Sequence, residues 1–281
     1  MKRSWYAAPY GLWMVLFTVV PLLFVCYYAF TDAKGAFTTA NFVKIASPMY
    51  FRVLWDSLRL AFFCTVLCLL VGYPTAYFLA GKDLTHSQTL VVLILVPMWM
   101  NFLLRTYAMM TIFENNGVIN TILQALGLPK AQMIGTEGVV LVGMVYNFLP
   151  FMVLPIYTVL KKMDQSVIEA AEDLGASPVR VVSRVVLPMS IPGVVSGITM
   201  VFMPAVTTFA ISRMLSSGMI YLVGDMIEDY FIAMNNRNVG SSISLVMLVL
   251  IILSIGLLRK VDPDNPLSSF VGLITEEPAP W

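Results

Sequence analysis

Charge is scarce in this sequence. Asp, Glu, Lys and Arg together make up 12% of its 281 residues, whereas a typical soluble domain carries about 25%. Hydrophobic residues make up 59%, and the mean hydropathy is +0.83. A soluble globule with so few polar groups would expose large apolar patches. The composition therefore excludes an ordinary soluble protein and predicts an integral membrane protein.

The sequence also lacks a strong excess of either charge, and it has almost no histidine. A net charge of +1 excludes a strongly basic nucleic-acid binder, and His86, the only histidine, argues against a histidine-built metal site. Cys26, Cys64 and Cys68 all lie within apolar runs. Cys64 and Cys68 share a helix face, but two thiols without a histidine or carboxylate do not complete a zinc site. The cysteines are interpreted as small packing residues.

No phosphate-binding loop of the form Gly-x-x-x-x-Gly-Lys-Ser/Thr occurs, and no alternation of strands and helices would carry one. We therefore expect no catalytic residue and no cofactor bound by this chain. The chain is not expected to be an enzyme or to hydrolyse ATP itself.

Six long apolar runs follow one another along the chain. A helix needs about 20 predominantly apolar residues to cross ~30 Å of hydrocarbon, whereas strands of a membrane barrel would alternate in polarity over about ten positions. The predicted spans, of which only the third contains a charge, are Pro9–Phe30, Leu60–Ala80, Gln88–Phe113, Gly138–Leu160, Pro188–Ser212 and Asn238–Leu258. The fold class is therefore an all-α membrane protein with six transmembrane helices, the first too long for a cleaved signal peptide.

Basic residues near the ends of the spans predict the orientation. When the N-terminus is placed inside, three basic pairs fall on the inner side, namely Lys2/Arg3, Lys161/Lys162 and Arg259/Lys260. Such residues favour the cytoplasmic side of a membrane. An even number of spans leaves both termini on one side. We therefore predict a multi-pass protein of the cytoplasmic (inner) membrane with both termini in the cytoplasm.

Three regions are expected along the chain. Residues 1–55 would contain the first span and an outer loop, residues 56–260 a core of five spans, and residues 261–281 a polar tail rich in proline. Within the core, the loop at 161–188 has more local sequence signals than any other loop.

This loop predicts two short helices. Ser166 and Glu169 have the spacing of a capping box, and Gly175 is suited to end the first helix in a left-handed conformation. The dipeptide Ser177-Pro178 would start the second helix. An amphipathic hairpin lying on the membrane surface would show a similar pattern. However, an alanine-lined face without an aromatic anchor favours docking into a protein groove, and that face comprises Val167, Ala170, Ala171 and Leu174.

The same loop carries a spaced motif. Glu169–Ala171, three residues, Gly175, nine residues and then Val185–Pro188 resembles the EAA motif of ABC-importer permeases, Glu-Ala-Ala-x3-Gly-x9-Ile-x-Leu-Pro, with Val185 in place of the usual isoleucine. The resemblance implies the type I ABC importer permease fold, with this loop as a cytoplasmic coupling helix in a cleft of the ATP-hydrolysing subunit. The residues that would contact the ATPase are Glu169, Ala170, Ala171 and Gly175, and those that would begin the fifth span are Leu187 and Pro188.

Further segments are similar to the spermidine/putrescine permeases of this family. They are Leu95–Tyr107, Leu149–Pro155, Glu169–Ser177 and Met203–Ala205. The resemblance implies polyamine import by alternating access, driven by a partner ATPase that is present in two copies and binds ATP and Mg. It also implies a second homologous permease subunit and an extracytoplasmic solute-binding protein.

The substrate path is predicted from polar and irregular features inside the spans, which the membrane tolerates only against protein or a wet cavity. The fifth span is rich in proline and threonine, although close packing is an equal alternative for Gly193 and Gly197. Aromatic rings and carboxylates suit a long, flexible cation. The predicted path residues are Trp99, Asn101, Arg105, Tyr107, Glu114, Tyr146, Phe202, Pro204, Thr207, Asp225 and Glu228.

Two arginines keep other interpretations open. Arg213, at the end of the fifth span, would repel a cationic substrate, and Arg105 would snorkel, line the path or pair with a carboxylate of the partner subunit. An oxyanion, ferric iron or a peptide is therefore an alternative substrate. A secondary transporter would need ionisable residues near the midplane, where only Arg105 comes close. A membrane scaffold would use the loop for docking alone.

Overall fold

The computed structural model describes residues 8–81 and 87–259, and this part of the chain is helical apart from turns and one isolated bridge between Thr31 and Phe37. The polar tail predicted at 261–281 lies outside the described residues. Two single π-helical turns, Val15–Val19 and Val182–Val186, interrupt the α-helices. The α-helices are α1 Ala8–Met14, α2 Val20–Ala29, α3 Ala40–Ile45, α4 Pro48–Ala80, α5 Ser87–Trp99, α6 Phe102–Phe113, α7 Val118–Ala125, α8 Glu137–Lys162, α9 Gln165–Asp173, α10 Pro178–Val181, α11 Leu187–Met189, α12 Ile191–Val206, α13 Ala210–Ser216, α14 Val223–Phe231 and α15 Arg237–Arg259.

Four helices in this part of the chain are long and apolar enough to cross a membrane: Pro9–Ala29, Pro48–Ala80, Glu137–Lys162 and Arg237–Gly256. The number rises to six when each of two bent helix pairs is taken as one span. The fold class is confirmed, and the third and fifth predicted spans are the broken ones.

The second span begins earlier than predicted, at Pro48 rather than Leu60. Ser47 caps the helix, since its side chain accepts a hydrogen bond from the Tyr50 N–H, and Pro48 occupies the first turn. Charged residues in the first three turns, Arg52, Asp56 and Arg59, shorten the apolar run and conceal this start in the sequence.

The third predicted span is two helices at 93° to each other, Thr89–Trp99 and Phe102–Ala125 with α7 included. Pro97 predicts a kink in this span, because proline interrupts the hydrogen bonds of a helix. That position is wrong, since Pro97 lies inside α5 and the chain breaks at Met100–Asn101. The Asn101 side chain accepts hydrogen bonds from the N–H groups of Leu103 (2.9 Å) and Leu104 (3.3 Å). A side chain that satisfies the first free N–H groups of a helix makes it favourable to start α6 there.

The fifth predicted span, Pro188–Ser212, is also not one helix. A bend of 64° at Ser190 separates Pro178–Met189 from α12, and a second break at Thr207–Phe209 separates α12 from α13. Pro192 has no N–H with which to bond the carbonyl four residues earlier, which weakens the helix near the first break. Pro204 precedes the second break by one helical turn.

The centre of the fold consists of α4, α8 and α12, which pack against one another. A Cβ atom added to Gly193 would lie 3.0 Å from both the Ile156 Cα and the Pro155 carbonyl oxygen, and one added to Gly197 would lie 2.7 Å from the Met152 sulfur. The two glycines therefore serve close helix packing rather than the lining of a path. Cys64 and Cys68 are fully buried in the same core, which supports their interpretation as packing residues.

The first span packs mainly on α15. The Asn238 side chain donates hydrogen bonds to the carbonyls of Tyr28 (3.1 Å) and Thr31 (2.6 Å), and the Ser242 hydroxyl bonds the Ala29 carbonyl at 3.1 Å. These contacts tie the end of α2 and the residues after it to α15.

We expect Gly193→Ala to destabilise the protein by about 1–3 kcal/mol, since the added methyl group meets backbone atoms that have little room to move. Gly256→Ala is the matched control, because a Cβ there has nothing within 4 Å and the helix itself favours alanine. Thermal unfolding of the purified protein in detergent measures both. Equal melting temperatures for the two variants would contradict the close contact.

Candidate functional site

The helix that carries the EAA motif, α9, starts at an aspartate. Asp164 is its N-cap, and the side-chain carboxylate accepts the Ser166 N–H at 2.9 Å. The capping box predicted from Ser166 and Glu169 is therefore wrong, because the chain becomes helical one residue before Ser166. The hydrogen bond from the Ser166 N–H holds the pKa of Asp164 below its usual range.

The end of α9 follows the sequence prediction. Gly175 has φ +77°, the left-handed conformation that glycine adopts at low cost. The N–H groups of Leu174 and Ala176 return to the carbonyls of Ala170 (3.2 Å) and Ala171 (3.1 Å), as in a glycine-terminated helix. Ser177 then precedes Pro178 at the start of α10, which is also confirmed.

The apolar side chains of α9 divide between two directions. Ile168 and Ala171 pack partly against the core. Val167 and Ala170 are exposed, and so is Leu174, with 88% of its surface accessible. Val179, on α10, adds a second exposed apolar side chain at 78%. Together Val167, Ala170, Leu174 and Val179 form an apolar docking face, the kind of uncovered surface that indicates a protein partner.

A cavity of about 550 Å³ separates α9 from the ends of the neighbouring spans. Its walls come from the last turns of α4 and α8, from α9 and from the second π turn. Among the lining side chains are Tyr77, Phe78, Ile168, Glu172 and Val186. The EAA motif therefore lies beside a cavity at the ends of α4 and α8.

The predicted path residues of the third span lie in different environments. Trp99, Asn101 and Tyr107 are exposed, and Asn101 serves as the cap of α6. Arg105 is only 6% exposed, and its Nε and Nη1 atoms have no hydrogen-bond partner in the described part of the chain. The guanidinium is therefore turned into the protein rather than outwards, so snorkelling is not what the structure shows.

The other predicted path residues do not form a single cluster with these. Phe202 lines a small apolar cavity with Leu58 and Met247. The Thr207 hydroxyl bonds the Met203 carbonyl within its own helix, at 3.3 Å. Glu114 ends α6 and is exposed, Tyr146 is exposed on α8, and Pro204 lies inside α12.

Arg213 gathers the acidic residues of α14. Its Nη2 atom lies 2.8 Å from Asp229 Oδ1, its Nη1 atom 3.0 Å from Glu228 Oε2, and its Nε atom 3.7 Å from Asp225 Oδ1. The Tyr221 hydroxyl donates to Asp229 Oδ2 at 2.9 Å. This group, termed the Arg213 cluster, ties α13 to α14. Asp225 and Glu228 are therefore partners of a cation of the chain itself and not an open acidic rim.

Asp225 is the buried member of the Arg213 cluster, with 2% exposure. Its Oδ2 atom accepts the Ser212 hydroxyl (2.7 Å) and the Leu222 N–H (2.9 Å). Burial raises the pKa of Asp225, while these two hydrogen bonds and the charge of Arg213 act in the opposite direction. The hydrogen bond to Asp229 raises the pKa of Arg213 further, so the guanidinium stays charged.

Sequence reasoning missed several of these contacts for different reasons. Asp164 could have been found, since aspartate two residues before Ser166 is as good an N-cap signal as serine. Ser212 and Tyr221 lie outside α14, the helix that carries Asp225 and Asp229. The turn between α13 and α14 brings these side chains together, so helical spacing in the sequence does not predict their contacts. No group of three or more histidine, cysteine, aspartate or glutamate residues able to hold a metal occurs within residues 8–81 and 87–259.

We expect Arg213→Met to destabilise the protein by about 1–2 kcal/mol at pH 7, because it leaves charged carboxylates without their hydrogen-bonded partner and the cluster is only partly buried. The loss should shrink as the pH falls through the carboxyl range of about 4–5. Arg213 favours the ionised form of Asp225, so its removal costs stability only where that carboxyl is ionised. Thermal unfolding of the wild type and the variant, at pH 7 and at a pH below this carboxyl range, measures the change in the loss.

Arg52→Met is the control for this variant, since Arg52 is exposed on α4 and has no ion pair within the described residues. Its melting temperature should stay at the wild-type value. An Arg213→Met variant with a pH-independent loss would show that the ion pairs contribute little.

The comparisons with known proteins agree with this architecture. The chain belongs to the family described as binding-protein-dependent transport system inner membrane component, which it matches over residues 4–265. It is thus a permease subunit of an ABC importer.

Among its relatives is the spermidine/putrescine transport system permease protein PotB of Haemophilus influenzae, with 34% identity over 251 residues, covering 86% of this chain and 88% of the relative. PotB of Escherichia coli is also 34% identical, over 245 residues, covering 84% and 89%. A solved bacterial ABC transporter involved in the import of the acidic polysaccharide alginate superimposes with a TM-score of 0.75 at 17% identity, covering 93% of this chain and 97% of that one. This last likeness concerns the fold.

Proposed function

We propose that this chain is the membrane subunit of a polyamine importer that takes up spermidine or putrescine. The observation that carries the proposal is the identity of 34% with two PotB proteins over more than four fifths of the chain. The Arg213 cluster is compatible with it chemically, because the carboxylates paired with Arg213 offset the positive charge that would repel a cation.

The same proposal gives α9 a partner. The apolar docking face is uncovered, lies next to the EAA motif and offers apolar side chains of a helix to a groove. We assign this face to an ATP-hydrolysing subunit. That subunit would be present in two copies and would bind ATP and Mg. A second homologous permease would complete the path, and an extracytoplasmic solute-binding protein would deliver the substrate.

Transport in this proposal is alternating access. Closure of the ATPase on ATP displaces α9, the spans move so that the path opens outwards, and hydrolysis reverses the change. The closed ATPase binds the outward-open state of the permease more tightly than the inward-open state, and this difference in affinity drives the change. The proposal also places α9 and both termini in the cytoplasm, since the basic pair Lys161/Lys162 immediately precedes α9.

Gly175→Val should abolish most uptake while the protein still inserts into the membrane. Valine at φ +77° is strained, so the end of α9 must change conformation. Gly127→Val is the matched control, because Gly127 also has φ +77° and open space around it, but follows α7 at the other end of the bundle. Uptake by cells expressing each variant, normalised to the amount in the membrane, measures the effect. Equal losses in both variants would remove the coupling role of Gly175.

The first test of the substrate is uptake of labelled spermidine and putrescine by cells with and without the gene, in a strain without other polyamine importers. Uptake that requires the gene is expected, and Glu169→Lys should abolish it because the charge at the EAA motif is reversed. Unchanged uptake in the deletion strain would leave the importer family in place and exclude polyamines as the substrate.

A further inference from the structure

The bend at Ser190 is built by the residues around it. Proline at 188 and 192 removes two N–H groups from the helical ladder. The Ser190 N–H is shared between the carbonyls of Val186 (2.9 Å) and Leu187 (3.2 Å), and Ser190 itself has φ −90° and ψ −4°. The result is the 64° angle between the Pro178–Met189 segment and α12.

A side chain from another helix forms a hydrogen bond at this bend. Ser190 is fully buried, and its hydroxyl donates to the Leu187 carbonyl at 2.9 Å. Because the only hydroxyl proton of Ser190 is used there, the 2.9 Å contact with Tyr73 is a hydrogen bond that the Tyr73 hydroxyl donates to Ser190 Oγ. Tyr73 belongs to α4, and thus a central helix of the bundle is tied to the point at which the fifth span turns.

α9 follows α8 after two residues, and it also packs against the segment that ends at this bend. The main packing partners of α9 are α10 and the second π turn, Val182–Val186. That turn runs directly into α11 and then into Ser190. The 550 Å³ cavity lies between α9 and the ends of α4 and α8. A displacement of α9 therefore reaches α12 through the π turn, a type of irregularity that is frequent at functional sites, and through the bend.

We propose that Tyr73 is a positioning residue for coupling, which fixes the angle at Ser190 so that movement of α9 turns α12. Without the hydroxyl of Tyr73, the bend yields when α9 moves, and part of the displacement is lost before it reaches the core. The proposal rests on the proposed function, in that a partner ATPase acts on α9.

The test uses the whole importer, purified with its ATPase and solute-binding protein and reconstituted into liposomes. ATP hydrolysed and labelled substrate transported are measured in the same vesicles. Tyr73→Phe removes one hydroxyl and should lower the substrate transported per ATP by about fivefold, the factor that corresponds to one hydrogen bond of ~1 kcal/mol, with ATP hydrolysis unchanged or higher. Tyr50→Phe, also on α4 and with a buried hydroxyl that has no hydrogen-bond partner in the described part of the chain, should leave the ratio unchanged.

Two variants at the acceptor separate coupling from folding. Ser190→Ala should lower the ratio at least as much as Tyr73→Phe, since it also removes the hydrogen bond to the Leu187 carbonyl. The double variant should be no worse than Ser190→Ala alone, because the Tyr73 hydroxyl has then already lost its partner. Ser190→Thr keeps the hydroxyl and should retain most of the coupling.

The proposal is overturned if Tyr73→Phe transports as much substrate per ATP as the wild type. It is also overturned if hydrolysis and transport fall by the same factor. Should Tyr73→Phe fail to assemble, normal coupling by Ser190→Ala would overturn it. If the wild-type importer shows no ATP-dependent uptake, the proposed function fails instead. This outcome is distinct, because it is seen in the wild type before any residue is changed.

Discussion

The contact of α12 with α8 at Gly193 and Gly197 is the constraint on which the rest of the structure depends. Inside a bilayer, helices gain little by hiding apolar side chains from each other, so close backbone approach through small residues supplies the packing. α4 packs against both of these helices, so that α4, α8 and α12 form the centre of the fold. Beyond the two breaks of the fifth span lie α9 to α11 on one side and α13 with α14 on the other.

Each break is possible only because its backbone groups find partners, since lipid offers none. Asn101 caps the start of α6, and Ser190 shares its N–H at the bend. At the break between α12 and α13, Gly224 lets α14 approach so closely that a Cβ there would lie 2.5 Å from the carbonyl oxygens of Thr207 and Thr208. The irregular backbone at these breaks is thus supported by specific neighbours.

The sequence was informative where one property decides the outcome. Apolar length predicted the spans, and a glycine followed by Ser-Pro predicted the end of α9 and the start of α10. It was less informative where two signals compete. Asp164 and Ser166 are both suited to cap the start of α9, and Asn101 and Pro97 are both suited to mark the break in the third span. It could not give contacts made across the fold. The partners of Arg213 lie on a different helix, and the hydrogen bond of Tyr73 with Ser190 joins residues 117 positions apart. Only the folded bundle places these side chains together.

The exposure of Leu174 and Val179 has a consequence for the life of the subunit in the cell. In the proposed complex these side chains are covered, and binding stabilises the native state by mass action. A chain made in excess of its ATPase instead presents an apolar patch to water, the kind of surface that leads to aggregation. In that complex the same face would transmit force, so its exposure would mark an unassembled copy as incomplete and link the amount of permease that survives to the supply of its partner.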